Sequence, residues 1–97
     1  MISGYSLEQI FVEQRGGQVE LKLVFVALSG ALKRESLRFG GVDKEQALRR
    51  AAKSLALRPD IEDVGGARLR VEVQGKLSDD PVLLNVFLKA FGEAKDD

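Results

Sequence analysis

The stretch Val19 to Leu28, written Val-Glu-Leu-Lys-Leu-Val-Phe-Val-Ala-Leu, constrains the fold more than any other part of the chain. It is rich in β-branched, aliphatic and aromatic residues and lies between two turn signals, Arg15-Gly16-Gly17-Gln18 and Ser29-Gly30, so it reads as a strand. In its first half Val19, Leu21 and Leu23 alternate with Glu20 and Lys22, the pattern of a strand with one wet face. In its second half Val24, Val26 and Leu28 fall on the side of Glu20 and Lys22, so that side turns apolar along its length. A strand of this kind needs a core on one face and a second cover on the other.

Residues 2 to 14 admit two readings. A helix would use Ser6 and Gln9 as a capping box, with Leu7, Ile10 and Phe11 on one side. A strand would pair back on residues 19 to 28 through Gly16-Gly17, which supply the positive φ that a two-residue hairpin demands. The strand is preferred because Ile10, Phe11 and Val12 are strand formers beside a hairpin signal. The short turn then sets a register. Val12 should face Leu21 and Ile10 should face Leu23 on the core side; Phe11 should face Lys22, Leu7 face Val26 and Tyr5 face Leu28 on the other. Glu13 opposite Glu20 is the one unfavourable pair.

A shorter strand is expected over Leu32 to Phe39, with Leu37 and Phe39 on one face, Arg34, Ser36 and Arg38 on the other, and Gly40-Gly41 as its end. Asp43 with Gln46 three residues on opens a helix that carries Leu48, Ala51, Ala52 and Leu55 at helical spacing and stops before Pro59. Arg58 to Gly66 reads as an acidic connection. From Ala67 to Gln74, Ala67, Leu69, Val71 and Val73 alternate with Arg68, Arg70, Glu72 and Gln74, a half-buried strand. Gly75 to Asp80 turns the chain, and Asp80-Pro81 caps a last helix reaching about Ala94, before a frayed tail at 94–97. Between Val82 and Phe91 only Asn85 and Lys89 are polar, so this helix calls for cover on more than one side. The expected fold is α+β: a single domain over 1–97, with a mostly antiparallel sheet in the order β-β-β-α-β-α and helices packed on it.

Composition removes whole classes of chemistry. With neither histidine nor cysteine, the chain cannot build a zinc site of the usual ligands, a thiol nucleophile or a histidine triad. No apolar run reaches the ~18 residues of a membrane helix and the N-terminus lacks a signal-peptide pattern, so a cytoplasmic protein with no membrane partner is expected. Formal charge is zero but uneven: about −1 over residues 1–32, about +5 over 33–58 and about −4 over 59–97. The Gly-Gly pairs at 16, 40 and 65 are turn glycines, since a phosphate loop ending at Gly75-Lys76 would need glycine where Arg70 stands and Ser or Thr where Leu77 stands. Asp60, Glu62 and Asp63 lack the spacing of a calcium loop, and Asp79 and Asp80 suit the N-terminus of the last helix. Lys53 and Ser54 are adjacent on a helix, so their side chains diverge and form no dyad. No metal, cofactor or catalytic residue is expected.

Two functional readings follow. The leading one is a non-enzymatic interaction or assembly module, an accessory protein that forms a homo-oligomer or docks a protein partner through Tyr5, Leu7, Phe11, Val24, Val26 and Leu28 on the outer sheet face together with Val86, Phe87 and Phe91 of the last helix. The alternative is a small RNA- or single-stranded-DNA-binding domain using Arg34, Arg38, Arg68 and Arg70 on a sheet face and Arg49, Arg50 and Lys53 on the first helix. Glu45, four residues before Arg49, and Glu72 would temper that basic stripe.

Overall fold

The computed structural model describes residues 4–27 and 34–96. Its elements in chain order are β1 (Tyr5–Arg15), β2 (Gln18–Ala27), β3 (Arg34–Gly41), α1 (Lys44–Ala56), β4 (Ile61–Asp63), β5 (Arg68–Val73), β6 (Lys76–Asp79) and α2 (Pro81–Lys95). The fold is α+β, as expected, with both helices packed on a six-stranded sheet.

The N-terminal segment is a strand. Gly16 and Gly17 take φ of 54° and 81°, the two positive values of a tight hairpin turn. Val12 lies opposite Leu21, Ile10 opposite Leu23, Phe11 opposite Lys22 and Glu13 opposite Glu20, all as the turn dictates. The register then shifts between Leu7 and Gln9, so Leu7 lies opposite Phe25 and Tyr5 opposite Ala27. This corrects the expected facing of Leu7 to Val26 and Tyr5 to Leu28. The extra residue, Glu8, is absorbed as a bulge, and each side chain before it changes face. Leu7 is therefore core, 1% exposed. Leu28, Leu32 and the Ser29-Gly30 turn lie outside the described residues.

α1 begins as its sequence requires. The Asp43 carboxylate accepts from the Gln46 backbone N–H at 2.8 Å, and the Gln46 side-chain oxygen accepts from Val42 N–H at 3.0 Å. Ala47, Leu48, Ala51, Ala52 and Leu55 form its buried face. Gly40-Gly41 belongs to β3 rather than following it, and Gly41 lies directly beneath Ala47: a Cβ there would sit 2.9 Å from the Ala47 Cβ and 3.0 Å from its backbone.

The sheet is mixed, not mostly antiparallel, and its chain order is β-β-β-α-β-β-β-α. Strands run β3-β2-β1-β5-β6, with β4 also on β1. β1 pairs antiparallel with β2 but parallel with both β4 and β5. The reason is topological. Two hairpin reversals leave β3 pointing along β1, α1 carries the chain back, and the next strand must run parallel to β1 when it joins its free edge. β4 lies in the segment expected to be connection; three residues with Ile61 alone buried give too little pattern to read. β6 lies in the segment expected to turn, and it is reached through Gln74 and Gly75 at φ of 51° and 81°, the same turn geometry as Gly16-Gly17 with Gln in the first place.

Asp80 caps α2 by accepting from Leu83 N–H at 3.0 Å, with Pro81 in the first turn. α2 settles beside α1 instead of covering the far side of the sheet. One core joins Ile10, Val12, Leu21, Leu23 and Phe25 of the sheet with Leu48 and Leu55 of α1, Leu69 and Val71 of β5, and Phe87 of α2. A shortest dimension of 20 Å matches one sheet plus one helical layer. Among the described residues no helix is long and apolar enough to cross a membrane.

Candidate interaction surface

Alternation in β1, β2, β3 and β5 leaves a second sheet face with no helix over it among the described residues. Phe11 stands near its middle on β1, between Lys22 on β2 and Arg70 on β5 in the cross-strand register. Val24, opposite Ser36, and Val26, opposite Arg34, extend the apolar part toward one end. Phe11, Val24 and Val26 are all half-buried by their own neighbours within the sheet.

The charges on this face are arranged in pairs. Arg38 on β3 donates to the Glu20 carboxylate on β2. Arg68 reaches Asp79 at 3.1 Å and Arg70 reaches the same carboxylate at 3.5 Å, so Asp79 on β6 bridges two arginines of β5. That corrects the reading of Asp79 as a companion of the helix cap. Asp80 alone caps, because the backbone of a strand sends adjacent side chains to opposite faces.

The residues expected to form one interface are divided. Phe11, Val24 and Val26 share the bare sheet face, while Leu7 and Phe87 are in the core and Phe87 is fully enclosed. Tyr5 turns to the core side, where its hydroxyl donates to Glu35 at 3.1 Å. Phe91 stacks on Phe87 with centroids 6.4 Å apart and receives the Lys95 ammonium 5.2 Å from its ring. Val86 lines a groove between α1 and α2. The basic residues are divided too: Arg38, Arg68 and Arg70 belong to the sheet face, and Arg49, Arg50 and Lys53 are exposed on α1. Arg49 lies 4.0 Å from Glu45, the pair its spacing foretold.

A polar cluster that the sequence did not announce closes the other end of the core face. Arg58 grips Asp60 with two hydrogen bonds, 3.1 and 2.6 Å, and Asp60 accepts at its backbone from Tyr5 N–H at 2.7 Å. The hydrogen bond from Arg58, with its positive charge, holds the Asp60 carboxyl below the usual aspartate range against the opposing effect of partial burial. In return the Asp60 hydrogen bond and charge raise Arg58 further. Only the two-residue spacing of Arg58 and Asp60 hinted at this clasp. Asp63 serves its own turn, accepting from Gly65 N–H at 2.9 Å. Among the described residues no three potential metal-ligating side chains gather.

The bare sheet face can therefore offer a partner apolar area edged with charges of both signs. Comparison of the chain with protein-family models, with curated proteins and with solved structures finds no match, which leaves the geometry of these surfaces as the ground for any functional reading.

Proposed function

We propose that the chain is a small non-enzymatic assembly module that pairs with a second copy of itself through the uncovered sheet face. The observation that carries this is the placement of Phe11, Val24 and Val26 on a sheet face that neither helix covers. Half-buried apolar side chains there gain by losing their remaining contact with water. Around them Glu20, Lys22, Arg38, Arg70 and Asp79 mix the two signs, so a twofold copy meets no field of a single sign. Five strands at ~4.8 Å and about seven residues at ~3.3 Å give a footprint of roughly 24 by 23 Å. That is below the ~800 Å² per partner of a standard interface, so the association is expected to be weak and concentration-dependent.

The nucleic-acid alternative has less support. A backbone-tracking site needs cations free to meet phosphate, whereas Arg38, Arg68 and Arg70 already share carboxylates, and Arg49, Arg50 and Lys53 lie in the helical layer. Sedimentation equilibrium over a concentration series tests the proposal. The apparent mass should rise from the 10.6 kDa of one chain toward that of two. Phe11→Asp and Val26→Asp should each hold it at one chain with the circular dichroism spectrum retained. A constant monomer mass, or a dimer that survives both substitutions, would remove this reading; salt-dependent binding of a single-stranded oligonucleotide would move support to the alternative.

A further inference from the structure

We infer that the groove between α1 and α2 is a docking site for an acidic amphipathic helix of a partner protein. The groove has a volume of about 770 Å³ and is lined by Arg49, Lys53, Ala56 and Leu57 from the α1 side and by Val86, Lys89, Ala90, Glu93 and Ala94 from α2. Along α1, Arg49, Lys53 and Ala56 fall at i, i+4 and i+7; along α2, Val86, Ala90 and Ala94 fall at successive i+4 steps. Each line is opposite to or beside the stripe its helix buries, so the groove opens on the side of the helical layer away from the sheet.

Shape and charge select the occupant. Alanines at 56, 90 and 94 let a third backbone approach closely, and Val86 and Leu57 supply the apolar contacts. Leu57, just beyond the end of α1, is 85% exposed and has little cover among the described residues. The seven residue steps from Arg49 to Ala56 and the eight from Val86 to Ala94 correspond to about 10–12 Å of groove, or about two turns of a docked helix. Two lysines, Lys53 and Lys89, border it together with Arg49, which Glu45 meets at 4.0 Å, and the carboxylate of Glu93 stands on the α2 wall, so the lysines leave the rim cationic. A second copy would set those cations against their own kind, while a helix with a narrow apolar stripe flanked by Glu or Asp meets them with opposite charge. This site is on the other side of the molecule from the sheet face and does not depend on self-association.

The test is fluorescence anisotropy with a labelled synthetic helical peptide that carries Leu at i, i+3, i+4 and i+7 and Glu on both flanks. Two controls accompany it: the same peptide with Lys in place of Glu, and a scrambled peptide of the original composition. Titrations use the wild-type chain and, separately, Phe11→Asp, so a failure of self-association is read apart from a failure of docking. The acidic amphipathic peptide should bind saturably to both proteins. Lys53→Glu combined with Lys89→Glu, at two exposed positions that leave the core intact, should weaken it about tenfold or more. Ala90→Arg should block it by filling the groove. Absence of saturable binding at low salt, equal affinity for the scrambled or lysine peptide, or affinity unchanged by both sets of substitutions would overturn the proposal.

Discussion

Single residues decide how closely the layers meet. Gly40 and Gly41 look equivalent in the sequence, yet only Gly41 has a helix against it, with the Ala47 backbone at 3.0 Å from where a Cβ would be. Gly40 has open space but for Val19 O at 3.9 Å. Gly41→Ala should therefore cost about 1–3 kcal/mol, read as a fall in melting temperature of roughly 4–8 °C per kcal/mol, while Gly40→Ala should leave the melting curve close to that of the wild type. Equal effects would show that the close approach does not limit packing. Asp60 gives a pH-dependent contribution of definite sign. Its carboxyl is held below the ordinary aspartate range, so the stability it adds is present above the unfolded value of about 3.9 and is lost as pH falls through the lower folded value. Urea midpoints at pH 5 and in the acid range should fall less steeply for Asp60→Asn than for wild type; parallel curves would show that the Arg58 clasp contributes nothing. The helix caps at Asp43 and Asp80 were legible because a cap is written within four consecutive residues. The Tyr5–Glu35 hydrogen bond was not, since its partners come from strands whose alignment depends on the bulge.

At the scale of elements, β1 shows where pattern reading succeeds and where it stops. From Arg15 back to Gln9 the turn alone fixed the register, and each pair followed. Beyond Glu8 the expectation failed because the alternation of Tyr5, Leu7 and Gln9 gives no sign that one residue is skipped. The core supplies that reason, for without the bulge Leu7 would face solvent beside Val26. Deleting Glu8 should thus leave a regular strand in which Leu7 still lies opposite Phe25 and Tyr5 opposite Ala27, with stability within about 1 kcal/mol of the wild type, whereas Leu7→Ala should cost about 2–5 kcal/mol for the loss of a buried leucine. Chemical denaturation measures both variants, and hydrogen exchange of Ser6 and Leu7 locates the effect; a deletion as costly as Leu7→Ala would mean that the bulge does more than bring Leu7 to the core face. β4 and β6 escaped reading for another reason. Their three and four residues gain their strand geometry from neighbours, β1 and β5, more than from their own propensity.

For the whole molecule, the decisive fact is that α2 lies beside α1. The sequence showed a last helix apolar nearly all round and a second strand apolar on two sides, and each wanted a cover. The simplest economy would have joined them. Instead α2 meets its need with α1, β5 and the core around Phe87, and among the described residues no helix covers the far side of β1 and β2. An interface composed of both could be imagined from composition but not built, because side-chain parity says which residues share a face and not which layer a later helix will join. A dimer made through the sheets would place both helix pairs outward, each groove free to take its own partner. It would then act as a two-ended connector.

The parallel pairing of β1 also orders events in time. β1 is made first and finds β2 at once through a two-residue turn, yet its other edge must wait about sixty residues, until Ile61 and then Leu69 arrive to pair with Tyr5 and Ile10. Closing so long a loop is entropically dearer than closing a hairpin, and the reward comes only when β4 and β5 dock together with the helices. The centre of the finished sheet is thus an edge until β4 and β5 have been made.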